Sequence, residues 1–482
     1  MIKFGTDGWR AIIGEEFTFD NVAKVAQAYA DVISSSPPSP LLHHAGEGWP
    51  KAGVRIPIGF DRRFLSEEFA KTVATVLAAN GLAASLSKTY CPTPCISLTA
   101  KTTNAPGGVM ITASHNPYQW NGVKFKEGYG GSASPAFTAK VEAAIQADIK
   151  NGTSPKKIPF EEGVQQGLIG SFDPLTEYVQ ALRSQIDLGV IKKADWKIAY
   201  DPLFGAGAGY LEKVLETPVR EIHQESNPGF RGLNPEPIDK NLSALMHLVR
   251  DKKFDVGLAT DGDADRIGAV DERSNFVNSH QIFALILNHL IEKGLRGDVV
   301  KTVSTTRMID IIAARHNLKV HETPIGFKHI CAKFLEITPL MGGEESGGIG
   351  IPSHVYERDG LLCALLLLEV MAVKKKRLGE ILADLTKEIG PFHFRRDDVH
   401  LSIEDLARLR EGGSKLNPDR VGGLKVREIN RLDGTKFLLE DESWLLLRVS
   451  GTEPLVRIYA EASSPEKTHR LIEEGRALLR LS

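Results

Sequence analysis

The sequence predicts an α/β protein built from several successive layered units. Apolar runs of strand length alternate with helix-length periodic segments through most of the chain, and this alternation restarts several times. The C-terminal part differs: from about Pro391 it carries two strand-like runs and a closing helix, the pattern of a small α+β unit. At 482 residues the chain exceeds one ordinary core, and about 150 residues per domain gives roughly three or four.

The elements follow in order. Arg55–Phe60 reads as a strand. Ser66 is placed to cap a helix running to about Ala79, with Gly81 as its stop. Gly108–Thr112 reads as a strand, and Pro135–Ile149 as a helix with proline at its start. Lys197–Tyr200 is a strand before a glycine-rich turn, Gly205–Gly209, and a helix through Leu215. Asp255–Ala259 and Val299–Val303 are further strands. Leu361–Val373, the most apolar stretch, contains Glu369 and is too short to span a bilayer, so it reads as a buried helix. Trp444–Val449 and Leu455–Ala460 are the C-terminal strand runs, and Pro465–Leu479 is the closing helix. Ser34–Gly53, rich in Pro, Ser and Gly, reads as a surface loop, and its His43-His44 pair as solvated rather than metal-binding.

Composition narrows the function. Hydrophobic residues make up 42% and charged residues 25%, as in soluble globular domains. A formal net charge of −2 argues against nucleic acid or an anionic membrane as main partner, and leaves small anions open. Met1–Gly8 has no apolar signal core, so a cytoplasmic location is the default expectation. Four cysteines cannot form a disulfide framework, and Cys91-Pro-Thr-Pro-Cys95 reads as two semi-buried thiols in a turn.

Four loops carry chemistry. Thr112-Ala-Ser114-His115-Asn116-Pro117 puts one hydroxyl on a polar loop straight after an apolar run. A serine there is a poor nucleophile alone, and no G-x-S-x-G elbow supports a hydrolase triad. A phosphate on Ser114 would carry about −1.5 to −2 charge; Lys124 and a cation nearby would hold it. Asp261, Asp263 and Asp265 alternate in a tight loop, an all-oxygen set suited to Mg²⁺ or Ca²⁺. The spacing begins like an EF-hand, but Arg266 stands where that turn needs glycine and the flanks read as strands. Arg266 can pair with the aspartates or contact a ligand. Gly342–Gly348 places Glu344, Glu345 and Ser346 among glycines, where carboxylates can accept hydrogen bonds from sugar hydroxyls. Arg448, Ser450, Gly451 and Thr452, with Arg457 beyond, have the groups to cradle a phosphate between strands, and on their own read equally as a polar hairpin turn.

These loops, in this order and together with Phe4-Gly-Thr-Asp-Gly-Trp-Arg10, resemble the α-D-phosphohexomutase family of phosphoglucomutases and phosphomannomutases across essentially the whole chain. The resemblance implies four domains around a central cleft: three similar α/β domains with mixed sheets and a smaller α+β domain. The expected divisions are 1–170, 171–274, 275–390 and 391–482, each giving one loop. It implies a phosphoserine at Ser114, and Mg²⁺ on Asp261, Asp263 and Asp265 with a phosphoserine oxygen as further ligand. Glu344 and Ser346 would bind sugar hydroxyls, and Arg448, Ser450, Gly451 and Thr452 the non-reacting phosphate. Arg10, His115 and Lys124 would line the transfer site, with Lys328 as a further phosphate or sugar contact. The expected activity exchanges hexose 1- and 6-phosphates of glucose, and possible mannose use is left open; hexose 1,6-bisphosphate serves as intermediate or activator. Small hexose phosphates are the expected partners and a monomer or homodimer the expected assembly.

The chain departs from family patterns in places. Ala264 stands where many members have glycine, and Gly348 where bacterial dual-specificity members often have histidine. His354–Gly360 resembles phosphoglucomutases, but with Arg358 in place of lysine. Arginine is a poor general base, so Arg358 is expected to position and polarise. Loops of the GEQSG type mark glucosamine-phosphate mutases, and this chain has Glu345 instead. Two alternatives use the same residues: a glucose-1,6-bisphosphate synthase, and a non-catalytic sugar-phosphate or calcium-binding protein.

Overall fold

The computed structural model describes residues 2–5, 7–35, 54–412, 416–450 and 454–480. His43-His44 and most of the Ser34–Gly53 stretch lie outside the described residues, as do Gly451 and Thr452.

Four sheets follow one another along the chain. The first contains β1 (Trp9–Ile12), β2 (Ile56–Phe60), β3 (Ala84–Ser87), β4 (Gly107–Ile111), β5 (Trp120–Glu127) and β6 (Ile169–Phe172), in the order β1-β5-β4-β2-β3-β6. Strands β2, β3, β4 and β6 are joined in parallel, whereas β5 runs antiparallel to both β4 and β1. The second contains β7 (Ile198–Asp201), β8 (Arg220–Glu221), β9 (Val256–Thr260), β10 (Ile267–Val270) and β11 (Phe276–Val277), in the order β11-β10-β9-β7-β8. The third contains β12 (Asp298–Thr302), β13 (Val320–Thr323), β14 (Pro339–Gly343) and β15 (Ile349–Gly350), in the order β13-β12-β14-β15. Both are mixed: parallel pairs form the body and antiparallel pairs one edge.

The fourth sheet is wholly antiparallel. Its strands β16 (His393–His400), β17 (Arg420–Val421), β18 (Leu424–Asn430), β19 (Thr435–Leu439), β20 (Trp444–Val449) and β21 (Leu455–Ala462) run in the order β16-β21-β20-β19-β18-β17. Only β20 and β21 have the apolar signature that sequence reading detects.

The Gly360–Lys374 helix is buried on every face through Ala372, which explains its lack of polar periodicity. It packs into one core shared by the second and third units, among Tyr178, Leu211, Phe283 and Ile309. Glu369 inside it is fully partnered, accepting hydrogen bonds from the Asp187 amide at 2.7 Å, His289 Nε2 at 2.8 Å and Lys293 Nζ at 2.9 Å.

Two local expectations change. Ser66 is the first helical residue and not a cap: Leu65, at φ 60°, occupies the cap position, and the Ser66 hydroxyl instead donates to Asp61 Oδ1 at 2.8 Å. Cys91 and Cys95 are fully buried rather than semi-buried, because the Thr93–Thr102 helix packs this turn against the second unit, where Cys95 Sγ reaches the Pro174 carbonyl at 3.1 Å. No helix among the described residues is long and apolar enough to cross a membrane.

Candidate active site

The loops meet at one cleft, and strand geometry explains how. Side chains alternate across a strand, so Lys124 and Lys126 on β5 share a face, and both are buried there. The Ser114 loop connects β4 to β5, and Ser114 adopts φ 53°, in the left-handed region that non-glycine residues rarely occupy. The acidic loop closes the β9–β10 hairpin, Thr260 pairing with Ile267. Its flanks are strands, so it is no EF-hand. Asp261 Oδ1 accepts from the Asp265 and Arg266 amides at 2.9 and 3.1 Å and holds the turn. Gly262 permits its close approach to the serine loop: a Cβ there would sit 2.4 Å from the Ser114 carbonyl oxygen.

Ser114 Oγ donates to Asp261 Oδ2 at 2.8 Å and lies 3.4 Å from His115 Nδ1. Lys124 Nζ donates to Asp263 Oδ2 at 2.8 Å and Asp265 Oδ2 at 2.9 Å, and pairs with Asp7 at 2.7 Å. Arg358 enters from the third unit. It pairs with Asp265 at 2.7 Å, donates to Asp7, and lies 3.6 Å from Glu344. Its side chain occupies the space above Gly348, where a Cβ would come within 2.2 Å of Arg358 Cδ. The absence of a side chain at 348 and the presence of arginine at 358 are therefore one packing arrangement.

The three aspartates can hold a cation. One oxygen from each lies within 4.8 Å of the others, and Asp263 Oδ1 and Asp265 Oδ1 are buried without a hydrogen-bond partner among the described residues. Oxygen-only donors of this kind fit a hard divalent cation such as Mg²⁺. Electrostatics agree: burial, then Asp265 and Asp263, push the Asp261 carboxyl well above its ordinary range. Burial also opposes ionisation of Asp263 and Asp7, but Lys124 beside the first and Arg358 beside the second hold them low. Burial disfavours the Lys124 ammonium, yet Asp263, Asp265 and Asp7 outweigh it and keep the group charged. Burial, with Arg266 and Arg10, keeps the His115 imidazole neutral.

Above this buried cluster opens a cavity of about 430 Å³. Asp7, Arg10, His115, Arg266 and Arg358 face it from one end, and Glu344, Glu345 and Ser346 line its wall. Arg448, Arg457, Arg396 and Tyr459 face it from the fourth sheet. Glu344 accepts from the Gly326 amide at 3.0 Å, and burial, opposed by Arg358, raises its carboxyl to about 7. Arg448 pairs with Asp433 at 2.9 Å, and Arg396 with Asp398 at 2.6 Å.

The cluster and the cavity thus bring together Ser114, Lys124, Arg10, His115, Arg358, Glu344, Ser346, Arg266, Arg448, Arg457 and the three aspartates. Lys328 stands apart from the cavity: its ammonium donates to the Gly5 carbonyl at 3.3 Å, behind the N-terminal loop. Ser450 is buried at the end of β20 and does not line the cavity. Sequence reading missed Thr93, whose hydroxyl donates to Asp263, and Arg396 and Asp398 on β16. Asp7, within the Phe4–Arg10 motif, is a further site residue through its pairing with Lys124 and Arg358.

A serine hydroxyl, a cation-ready acidic triad and an arginine-lined cavity define a phosphoryl-transfer enzyme. Comparison with known proteins gives its class. Four family profiles match in order: phosphoglucomutase/phosphomannomutase alpha/beta/alpha domain I at residues 1–152, domain II at 176–274, domain III at 278–389 and the C-terminal domain at 404–478. A phosphoglucomutase/phosphomannomutase of Thermococcus kodakarensis is 31% identical, over 99% of this chain and 98% of that protein. A Pyrococcus abyssi protein provisionally named a phosphoglucosamine mutase is 30% identical, over 99% of this chain and 97% of its own. A crystal structure from Thermus thermophilus, provisionally described as a phosphomannomutase, superposes with a TM-score of 0.83 at 35% identity, covering 99% of both chains. The chain belongs to the phosphoglucomutase/phosphomannomutase family and is an enzyme of the phosphohexomutase class.

Proposed function

We propose that this enzyme interconverts hexose 1-phosphates and hexose 6-phosphates through a phosphoserine at Ser114 and a hexose 1,6-bisphosphate intermediate, with glucose phosphates as principal substrates. One observation carries the reading: Ser114 Oγ lies 2.8 Å from Asp261 beneath one end of a cavity whose far end is lined by arginines. A phosphosugar held by its phosphate at the arginine end directs a free hydroxyl towards the serine.

In the first half-reaction the bond between Ser114 Oγ and phosphorus breaks, and a new bond forms to the sugar hydroxyl oxygen. The sugar hydroxyl gives up one proton and the serine oxygen regains one; His115, neutral and 3.4 Å from Oγ, is within reach to relay it. Lys124 and Arg10 stabilise charge on the transferring group. Arg266 and Arg358 line the cavity with Arg10, and their guanidinium groups offer charge to an incoming phosphate. Asp261, Asp263 and Asp265 would hold Mg²⁺, which when bound would supply positive charge to offset the negative charge developing during transfer. The bisphosphate then turns around, and its other phosphate returns to Ser114. Glu344 and Ser346 suit both orientations if they grip hydroxyls lying between the exchanging ends. Arg448 and Arg457, which face the cavity from the fourth sheet, hold whichever phosphate is not reacting. The proposed units, 1–170, 171–274, 275–390 and 391–482, each contribute one of these loops.

A coupled assay with glucose 1-phosphate, mannose 1-phosphate and glucosamine 1-phosphate tests the reading, with and without Mg²⁺ and a bisphosphate primer. Equilibrating glucose monophosphates support it. Net bisphosphate accumulation would make the enzyme a synthase. Preference for the amino sugar would place it with the relatives provisionally named phosphoglucosamine mutases.

A further inference from the structure

We propose that Arg63 is a positioning residue for phosphoryl transfer: its guanidinium clamps the Ser114 loop in the left-handed turn that aims the hydroxyl at the acidic triad. The inference rests on the phosphoserine reading above and concerns how the nucleophile is held.

Arg63 is 3% exposed and lies just past β2. Every donor of its guanidinium is used. Nε donates to Asp61 Oδ2 at 3.1 Å. Nη1 donates to the carbonyls of Pro117 at 2.9 Å and Trp120 at 3.0 Å, and Nη2 to those of Ser114 at 2.6 Å and Asn116 at 2.7 Å. One side chain thus gathers four carbonyls of the segment that begins at the nucleophile. Lysine, with three donors on a point charge, cannot reproduce this fork.

Asp61 ties the clamp to the other side of Ser114. Its Oδ2 also accepts from Thr112 Oγ1 at 2.6 Å, and that hydroxyl in turn accepts from the Ser114 amide at 2.8 Å. The Ser114 N–H and C=O are therefore held from one carboxylate, through Thr112 on one side and Arg63 on the other. This double hold accounts for a non-glycine residue at φ 53°. The same carbonyl that Arg63 grips is the one against which Gly262 packs. The Arg63 guanidinium also lies 5.0 Å from the Phe230 ring of the second unit. Arg63 thereby fixes the serine loop against the acidic loop. Released, the backbone would relax out of the left-handed region and carry Oγ away from Asp261.

The test uses the full-length protein and the variants Arg63→Lys and Thr112→Val, each with thermal unfolding recorded. Radiolabelled glucose 1,6-bisphosphate is mixed with dephosphorylated enzyme, and the rate of Ser114 labelling is followed beside steady-state kcat and KM. The clamp predicts that labelling rate and kcat fall together by about 100-fold in Arg63→Lys, as a misplacement of roughly 1 Å can do. KM for glucose 1-phosphate should stay within about threefold, since the far end of the cavity is untouched. A folded Arg63→Lys with wild-type labelling and kcat, or a loss carried by KM alone, overturns the proposal. Should Arg63→Lys not fold, Thr112→Val decides: the same kcat-specific loss supports the clamp, and unchanged labelling overturns it. Failure of the phosphoserine reading would look different, because wild-type enzyme would then take no label on Ser114.

Discussion

The two ends of the cavity are built on opposite principles. At the inner end Ser114, Lys124, Asp261, Asp263 and Asp265 are at most 1% exposed, and loops from three sheets lock them into short contacts. At the outer end the arginines come from the fourth sheet alone and keep partial contact with solvent: Arg448 is 13%, Arg457 20% and Arg396 37% exposed at the side chain. The inner end is preorganised for charge development in a place water does not reach, where electrostatics act strongly. The outer end offers screened, adaptable cations that can take up a phosphate and let it go. Chemistry should thus depend on the inner end and affinity on the outer.

Substitutions can break that contrast. Asp261→Asn or Asp263→Asn, and chelation of the wild type, should each lower kcat by about a thousandfold or more; added Mg²⁺ should restore the chelated wild type but not the variants. Equal losses in KM and kcat would blur the two ends. Gly348→His comes next. A side chain at 348 must evict Arg358 from its place against Asp265 and Glu344, so kcat should fall about ten- to a hundredfold. The double variant Gly348→His/Arg358→Lys measures whether the shorter stem recovers any of the loss. At the outer end Arg448→Ala should raise KM about ten- to a hundredfold with little change in kcat, and the wild-type KM should rise with ionic strength as screening increases. A kcat effect from Arg448→Ala would mean that the outer end takes part in chemistry.

Glu344, on the wall between the ends, gives the smallest signal, in stability. Burial, opposed by Arg358 and Arg266 and reinforced by Glu345 and Asp7, raises its carboxyl from 4.5 to about 7. The folded protein therefore retains a proton there that the unfolded chain has released. Its stabilising contribution is complete below about pH 4.5 and is lost as pH rises through about 7. Relative to Glu344→Gln, the wild type should lose melting temperature across that window. Parallel melting curves would show that Glu344 does not titrate there.

The sequence showed the inner end more fully than the outer. Ser114, the aspartates and Glu344 lie in contiguous polar loops after apolar strands, so the residues that act together are also neighbours in the chain. Thr93 and Arg63 act on those loops from elsewhere in the first unit, and no local pattern marks them. On β16, His-Phe-Arg-Arg-Asp-Asp-Val-His has no apolar face, because its backbone ladder with β21 rather than side-chain burial makes it a strand. Arg396 and Asp398 went unread with it. Ser66, a good capping residue by type, gives its hydroxyl to the buried carboxylate of Asp61 five residues before it, a pairing that no capping pattern marks.

The proposed catalysis turns on Ser114 as the covalent carrier. Intact-mass measurement and peptide mapping of the wild type and Ser114→Ala after incubation with glucose 1,6-bisphosphate test it most directly. One phosphate on the wild type, mapped to Ser114, with none on an inactive Ser114→Ala, is the predicted result. Phosphate on another residue, or full turnover by Ser114→Ala, would contradict it.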